Sequence, residues 1–304
     1  MSCTTCLPAS CRQAIRHLRR VVDLRRYSDW RPPRLGRADR HGSHEGGLSG
    51  QIYGGTAGWD RELADSPPLM GLAVNLSRTD LTASQYGASV TNAYGGVALY
   101  AMERFGPAYV AVSGSFGYSH ADFDRDFFDL GLGLSTSTGF DSTVLAGRIE
   151  AGYSFDLPGM AAKITPFAAF QSMHLWQGGA DECFPGYGAG LSHDEVPITA
   201  LPVFLGVQLE SFWKLQGGAV LTPFLKLAWM RDFSPDQDVP CSFAELPDIS
   251  FSDSALPTVS DAADIHAGVH ICAGSNTTFS LGFDGQLGSG YSVLGGSGTL
   301  RVRW

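Results

Sequence analysis

The chain has 304 residues, is 44% hydrophobic and 17% charged, and contains 38 glycines. Its net charge of −9 argues against a nucleic-acid-binding protein. No run of about 18 apolar residues exists, so no transmembrane helix is available. Glycine and aromatics with few charges suit many short strands joined by turns.

The charge is uneven. Residues 1–40 hold ten Arg against three Asp, whereas the rest holds 11 basic and 27 acidic residues. That break places a boundary near Gly46. Residues 1–46 form a basic N-terminal segment, and 47–304 form the main domain. Ser10 to Tyr27 shows helical spacing, with Ile15, Leu18, Val21, Val22 and Leu24 set among arginines. The expectation is a helix or a disordered arm over 10–27. Three readings stand: a basic helix inside a polar pore, a surface or disordered arm, and a segment foreign to the fold. The last two together are preferred. Trp30-Arg31-Pro32-Pro33 ends any helix. The first residues carry no basic start followed by an apolar core, so no signal peptide is recognisable.

From Ser49 onward eleven strand-like segments follow, near 49–60, 69–78, 92–105, 107–119, 143–155, 161–176, 199–213, 219–231, 263–272, 276–288 and 292–304. Several alternate sharply. Leu145, Ile149, Ala151, Tyr153 and Phe155 oppose Arg148, Glu150 and Ser154. Val203, Leu205, Val207 and Leu209 oppose Gln208 and Glu210; Leu225, Leu227 and Trp229 oppose Lys226. Ile265, Ala267, Val269 and Ile271 oppose Asp264, His266 and His270; Phe279, Leu281, Phe283 and Leu287 oppose Ser280, Asp284 and Gln286. The last segment puts Leu300, Val302 and Trp304 on one face and Thr299, Arg301 and Arg303 on the other. A strand that stops on a tryptophan suits the closing strand of an outer-membrane barrel. The second face is sparse, with Gly, Ser and single charges, which fits a narrow polar lumen. A basic side chain facing lipid at mid-bilayer would cost roughly 2–4 kcal/mol. Arg148, Glu150, Glu210, Lys226, Asp284, Arg301 and Arg303 are therefore expected to face inward.

Loop lengths give an independent test. The short connections lie near 273–275, 214–218, 156–160, Gly106 and 61–68. The longer ones lie near 232–262, 177–198, 120–142 and 79–91, with 289–291 the short exception on that side. Outer-membrane barrels have short periplasmic turns and longer external loops. Single-chain bacterial barrels are also even-stranded, so a twelfth strand is wanted before Ser49, within about 25–47. That window shows no alternation, and the expectation is that the N-terminal region lacks the strand. The fold class is thus all-β, an antiparallel transmembrane β-barrel of about 12 strands, 11 of them readable, with a short non-barrel N-terminal segment.

Gln51-Ile52-Tyr53-Gly54-Gly55-Thr56-Ala57-Gly58-Trp59-Asp60, Gly71-Leu72-Ala73-Val74 and Gly106-Pro107-Ala108-Tyr109-Val110 resemble successive strands of the autotransporter β-domain of type V secretion. So do Gly147-Arg148-Ile149-Glu150-Ala151-Gly152-Tyr153, Ile164-Thr165-Pro166-Phe167-Ala168-Ala169, Leu227-Ala228-Trp229-Met230-Arg231-Asp232-Phe233 and the terminal Trp304. The resemblance covers about 49–304. It implies a twelve-stranded translocator in the outer membrane of a Gram-negative cell that takes part in exporting a passenger polypeptide. It also implies recognition of Leu300, Val302 and Trp304 by the barrel assembly machinery. The chain as written shows no passenger, which suggests a truncated form. The alternative is a stand-alone outer-membrane pore or surface-binding barrel with long acidic loops.

Cys183 and Cys241 fall in two external loops, an oxidising setting, and form the candidate disulfide; unpaired or differently paired thiols are the alternative. Cys3-Thr4-Thr5-Cys6 has a ligand-like spacing but no second pair, so no metal site is expected. His266 and His270 on a strand make a lumen patch with Asp264 rather than a metal pair. No nucleophile elbow, phosphate loop or His-Glu-x-x-His motif occurs, so neither enzyme activity nor a cofactor is expected.

Overall fold

The computed structural model describes residues 21–27, 48–62, 68–83, 87–126, 135–182, 190–215, 218–234, 238–243, 246–254, 260–273, 276–289 and 291–302. Among them, twelve strands join edge to edge into a closed antiparallel ring. In chain order they are β1 (Val21–Tyr27), β2 (Leu48–Glu62), β3 (Leu69–Ala83), β4 (Ala88–Phe105), β5 (Ala108–Asp126) and β6 (Ser135–Tyr153). The second half is β7 (Ala162–Gln177), β8 (Val196–Ala200 and Pro202–Ser211, interrupted at Leu201), β9 (Val220–Asp232), β10 (Asp261–Ala273), β11 (Thr277–Gly288) and β12 (Tyr291–Val302). Each strand pairs with its sequence neighbours. The same holds from β8 to β12.

The ring closes through β1. Leu24 lies opposite Gly298 of β12 on one side and Gly55 of β2 on the other. This corrects the sequence reading at two points. Val21–Tyr27 is a strand, not the end of a helix, and it belongs to the barrel, so the boundary near Gly46 does not divide barrel from non-barrel. Seven residues satisfy either period, and the apolar spacing at three and four was read over a longer window. Two open strand edges, at β2 and β12, decide between them: an extended segment satisfies both ladders and a helix satisfies neither. Residues 10–20 lie outside the described residues.

The tight connections match the expected set. Gly106, Gly159 and Gly218 all take positive φ, at 65°, 77° and 85°, where glycine alone avoids strain. On the opposite rim two expected loops are mostly strand. β3 and β4 run on to Ala83 and from Ala88, and β5 and β6 to Asp126 and from Ser135. A bilayer needs about 9–11 residues per strand, so β5 and β6, at 19 residues each, project beyond it. Polar sequence there hid the strands, because no apolar face is needed above the membrane.

Inside the ring, large aromatics lie over glycines directly opposite them. Tyr100 covers Gly71, Tyr109 covers Gly152, Phe167 covers Gly206 and Phe224 covers Gly268. A methyl on Gly206 would collide with the Leu227 carbonyl oxygen and fall 2.6 Å from the Phe167 ring. Glycine at that position lets the ring lie flat against the wall and leaves the lumen open.

Closure through β1 has a direct test. Replacing Leu24 by Pro removes a backbone donor in a strand bonded on both sides. The L24P chain refolded into detergent should lose the heat-dependent shift in gel mobility that a closed barrel shows. Retention of the full shift would mean that the ring closes without β1.

Candidate functional site: the ion-paired lumen

Alternation sorts side chains by face. On β6, Leu145 and Ile149 are 52% and 49% exposed on the outer wall, whereas the Arg148 and Glu150 side chains keep 28% and 14%. Two aromatic girdles border the outer apolar band. Trp59, Phe105, Tyr153, Phe155 and Trp213 lie towards the short-turn rim; Tyr53, Tyr118, Trp176, Trp229 and Phe233 lie towards the other. The first outward ion pairs, Arg78–Asp80 at 3.1 Å and Arg231–Asp261 at 3.0 Å, sit at the far-rim end of their strands. This is the surface pattern of a membrane-spanning barrel.

The lumen is organised around Glu150. Lys226 of β9 donates to both its oxygens at 2.9 and 3.0 Å. Arg148 Nη2 donates to Oε2 at 2.8 Å, and Tyr109 of β5 donates to Oε1 at 2.8 Å. Lys226 and Glu150 are separated in the ring by β7 and β8, so the lysine side chain lies across two strands to reach its partner. Beneath it is an apolar wall of Phe167, Ala169, Phe204, Ala228, Met230 and Ala262. The Lys226 ammonium lies 4.0 Å from the Phe167 ring centre and the Arg148 guanidinium 4.5 Å from that of Phe204. Both are cation–π contacts, so the two cations cover the rings and are held there by one carboxylate.

Two further clusters complete the lining. Tyr100 of β4 donates to the fully buried Asp60 of β2 at 3.0 Å, and Arg301 of β12 approaches the same oxygen at 3.8 Å. His266 of β10 faces Asp284 of β11 through Nδ1 at 2.5 Å and Asp264 through Nε2 at 2.9 Å. His270 bonds Ser280 at 2.7 Å and stacks on Phe224. Glu210 points inward and accepts from Gln208 at 2.9 Å. Among the described residues no group of three or more His, Cys, Asp or Glu is placed to hold a metal ion.

Of the lumen charges read from the sequence, Arg148, Glu150 and Lys226 are brought together; Asp284 and Arg301 belong to separate clusters; Glu210 stands near none of them. Arg303 lies outside the described residues, as does Trp304, whereas Leu300 lies exposed on the outer wall and Val302 follows it on the same face. Asp60, Tyr100 and Tyr109 were missed. Their inward parity was legible: Trp59 beside Asp60 is outward, so Asp60 must face in.

Above the far rim, two connections join in a second sheet built from Ala180–Asp181, Leu191–His193, Asp238–Phe243 and Leu246–Ser254. His193 lies opposite Cys241. Cys183, and with it the Cys183–Cys241 pairing, lies outside the described residues. The loops that carry the two cysteines are brought together, by backbone pairing. Glu182 anchors this sheet to β5 through a buried ion pair with Arg125 and accepts from the Leu191 amide at 3.1 Å. On the outer surface nearby, His120 Nδ1 meets Asp141 at 2.8 Å and Nε2 lies 3.5 Å from Asp122.

A ring of this strand count with an ion-paired lumen can be compared with known proteins. The Autotransporter beta-domain family model matches residues 35–284. The chain belongs to the autotransporter β-domain family. The translocator domain of the autotransporter NalP from Neisseria meningitidis superposes with a TM-score of 0.73 at 12% identity, covering 97% of this chain and 95% of that one. The β-domain of the Bordetella autotransporter BrkA gives 0.64 at 15% identity, over 94% and 99%. Two extracellular serine proteases of Serratia marcescens match at 26% and 24% identity over 247 and 245 residues. Each match takes 81% of this chain and 23% of the relative, so the chain spans about a quarter of the length of these relatives.

The hub and the rim give one prediction each. Glu150→Gln leaves two cations facing a neutral amide and should lower stability by about 1–3 kcal/mol, read as an earlier urea midpoint for the heat-shifted form. Lys226→Met should cost less, since Arg148 and Tyr109 still donate to Glu150. At the rim, the hydrogen bond that His120 donates to Asp141, followed by the charge of Asp122, raises the His120 pKa above the ordinary histidine value. A raised folded value means a stabilising contribution that is complete below the unfolded value of about 6.5 and is lost as pH rises through the folded one. Proton NMR of the His120 ring should give a midpoint above that of a free histidine, falling in Asp141→Asn. An ordinary midpoint in the parent chain would refute the pairing.

Proposed function

We propose that the chain is an outer-membrane translocator that takes part in exporting a passenger polypeptide joined ahead of β1. The carrying observation is the direction of β1. Val21 lies opposite Arg301 and Tyr27 opposite Gly295, so β1 starts at the rim where β12 ends. That rim bears the tight turns and is the periplasmic one by loop length. A polypeptide joined ahead of Val21 therefore reaches the barrel at its periplasmic rim. The lumen offers a polar lining whose charges are largely compensated in place, which suits passage of many sequences in an extended form and favours none. This role is physical; no residue of the lining is assigned a catalytic step. Outer-membrane lipid covers the band between the girdles. The barrel assembly machinery is the proposed partner for the last strand, with Leu300 and Val302 on its outer face and Trp304 two residues further along the sequence.

The test joins a secretion signal and a protease-sensitive reporter ahead of Met1 and expresses the fusion in a Gram-negative host. Protease added to intact cells should remove the reporter from the wild-type fusion and spare it in a fusion carrying a closure-breaking substitution in β1. A reporter that stays protected while the barrel keeps its heat shift would overturn the reading.

A further inference from the structure

A groove of about 870 Å3 opens on the outer wall between β2 and β5. Its geometry follows from register. One cross-strand row is Trp59, Leu72, Leu99 and Gly114; the next row towards the periplasmic rim is Arg61, Met70, Ala101 and Val112. Both rows alternate outward, as the exposure of Trp59, Met70, Leu72, Leu99 and Val112 shows. The groove exists because Ala101 and Gly114 are small where their neighbours are large. Its walls are carbon, and it lies within the apolar band. At its periplasmic corner stands Arg61, exposed at the end of β2 next to the girdle residue Trp59. The outward arginines of the other rim are neutralised, Arg78 by Asp80 and Arg231 by Asp261. No carboxylate stands within ion-pair distance of Arg61 among the described residues.

We infer that this groove binds one anionic glycerophospholipid of the inner leaflet, with an acyl chain over Ala101 and Gly114 and the phosphate at Arg61. The inference rests on the translocator reading for its orientation in the membrane. Apolar walls alone would accept any acyl chain. An arginine at the depth of the headgroups with no carboxylate partner among the described residues favours an anionic one, because a phosphodiester supplies a counter-charge. The groove volume is of the order that a drug-sized ligand fills, enough for the nearer part of an acyl chain and the glycerol.

The site separates into two variants. Arg61→Glu reverses the headgroup end and leaves the walls intact. Gly114→Leu fills the groove; a Cβ there meets only the Ala146 carbonyl oxygen, at 3.9 Å, so the added side chain has room. The full chain is refolded in detergent, its heat-dependent gel shift is checked, and native mass spectrometry follows titration with phosphatidylglycerol or phosphatidylcholine. The parent chain should retain one phosphatidylglycerol in preference to phosphatidylcholine. Arg61→Glu should abolish that preference and lower phosphatidylglycerol retention at least tenfold. Gly114→Leu should lower retention of both lipids. Equal retention across the three proteins, or a parent chain that keeps its heat shift and holds no lipid, overturns the groove and leaves the translocator reading standing. A parent chain without a heat shift overturns both. A single variant that loses its heat shift speaks to folding, and the other then decides.

Discussion

A strand in hydrocarbon has no water to satisfy an unpaired edge, and each orphaned backbone group would cost several kcal/mol. Every strand of the ring therefore needs two neighbours, and this single requirement explains the role of β1. The strands from β2 to β12 form a ladder with two open edges. Val21–Tyr27 fills the gap, opposite Gly54, Gly55 and Gly58 on one side and Gly295, Gly296 and Gly298 on the other. A segment whose Val21, Val22, Leu24 and Tyr27 fit either period becomes a strand because both flanks demand one. Closure, not propensity, decides its conformation.

Closure then sets the chemistry of the two faces. With the outer wall committed to lipid, every charge in the spanning region must face inward, and the lumen is narrow enough that inward charges meet. Glu150 gathers Arg148, Lys226 and Tyr109; Asp60 gathers Tyr100 and Arg301; His266 is held between Asp264 and Asp284. The first two clusters reach across intervening strands, so their pairs also tie separated parts of the wall together. Glycine opposite Tyr100, Tyr109, Phe167 and Phe224 keeps these four rings against the wall.

The alternation of Leu145 to Phe155, or of Phe279 to Leu287, was legible because one face is buried in lipid and tolerates no polar residue. Loop lengths revealed which rim is which for the same kind of reason: turns on one side are tight and glycine-bound. Where lipid contact ends, the signal ends. Residues 79–83, 88–91, 120–126 and 135–142 are strand in the structure but lack an apolar face, and they read as loop. β1 was lost because seven residues among arginines fit two periods, and the ladder edges that choose between them, β2 and β12, lie about 240 residues apart in the chain. Within the lumen, parity told which charges face in but not which meet: the Lys226–Glu150 pair depends on a side chain crossing β7 and β8, and no local pattern encodes that.

The apolar wall under Lys226 and Arg148 raises a physical question about a polar lumen. Phe167, Phe204 and Met230 bare to water would offer any extended polypeptide a sticking point, since a patch of that kind binds apolar side chains without regard to sequence. Covering the two rings with cations changes what the lumen presents. The cations stay in place because Glu150 offsets their mutual repulsion and the rings attract them. The carboxylate thus works at a distance from the surface it protects: without it, both cations are free to swing into the water and the wall is uncovered. An ion pair that adds little net stability can still be retained for this reason. For the translocator role proposed, the balance of charge at the hub is then what keeps a passing chain from being held.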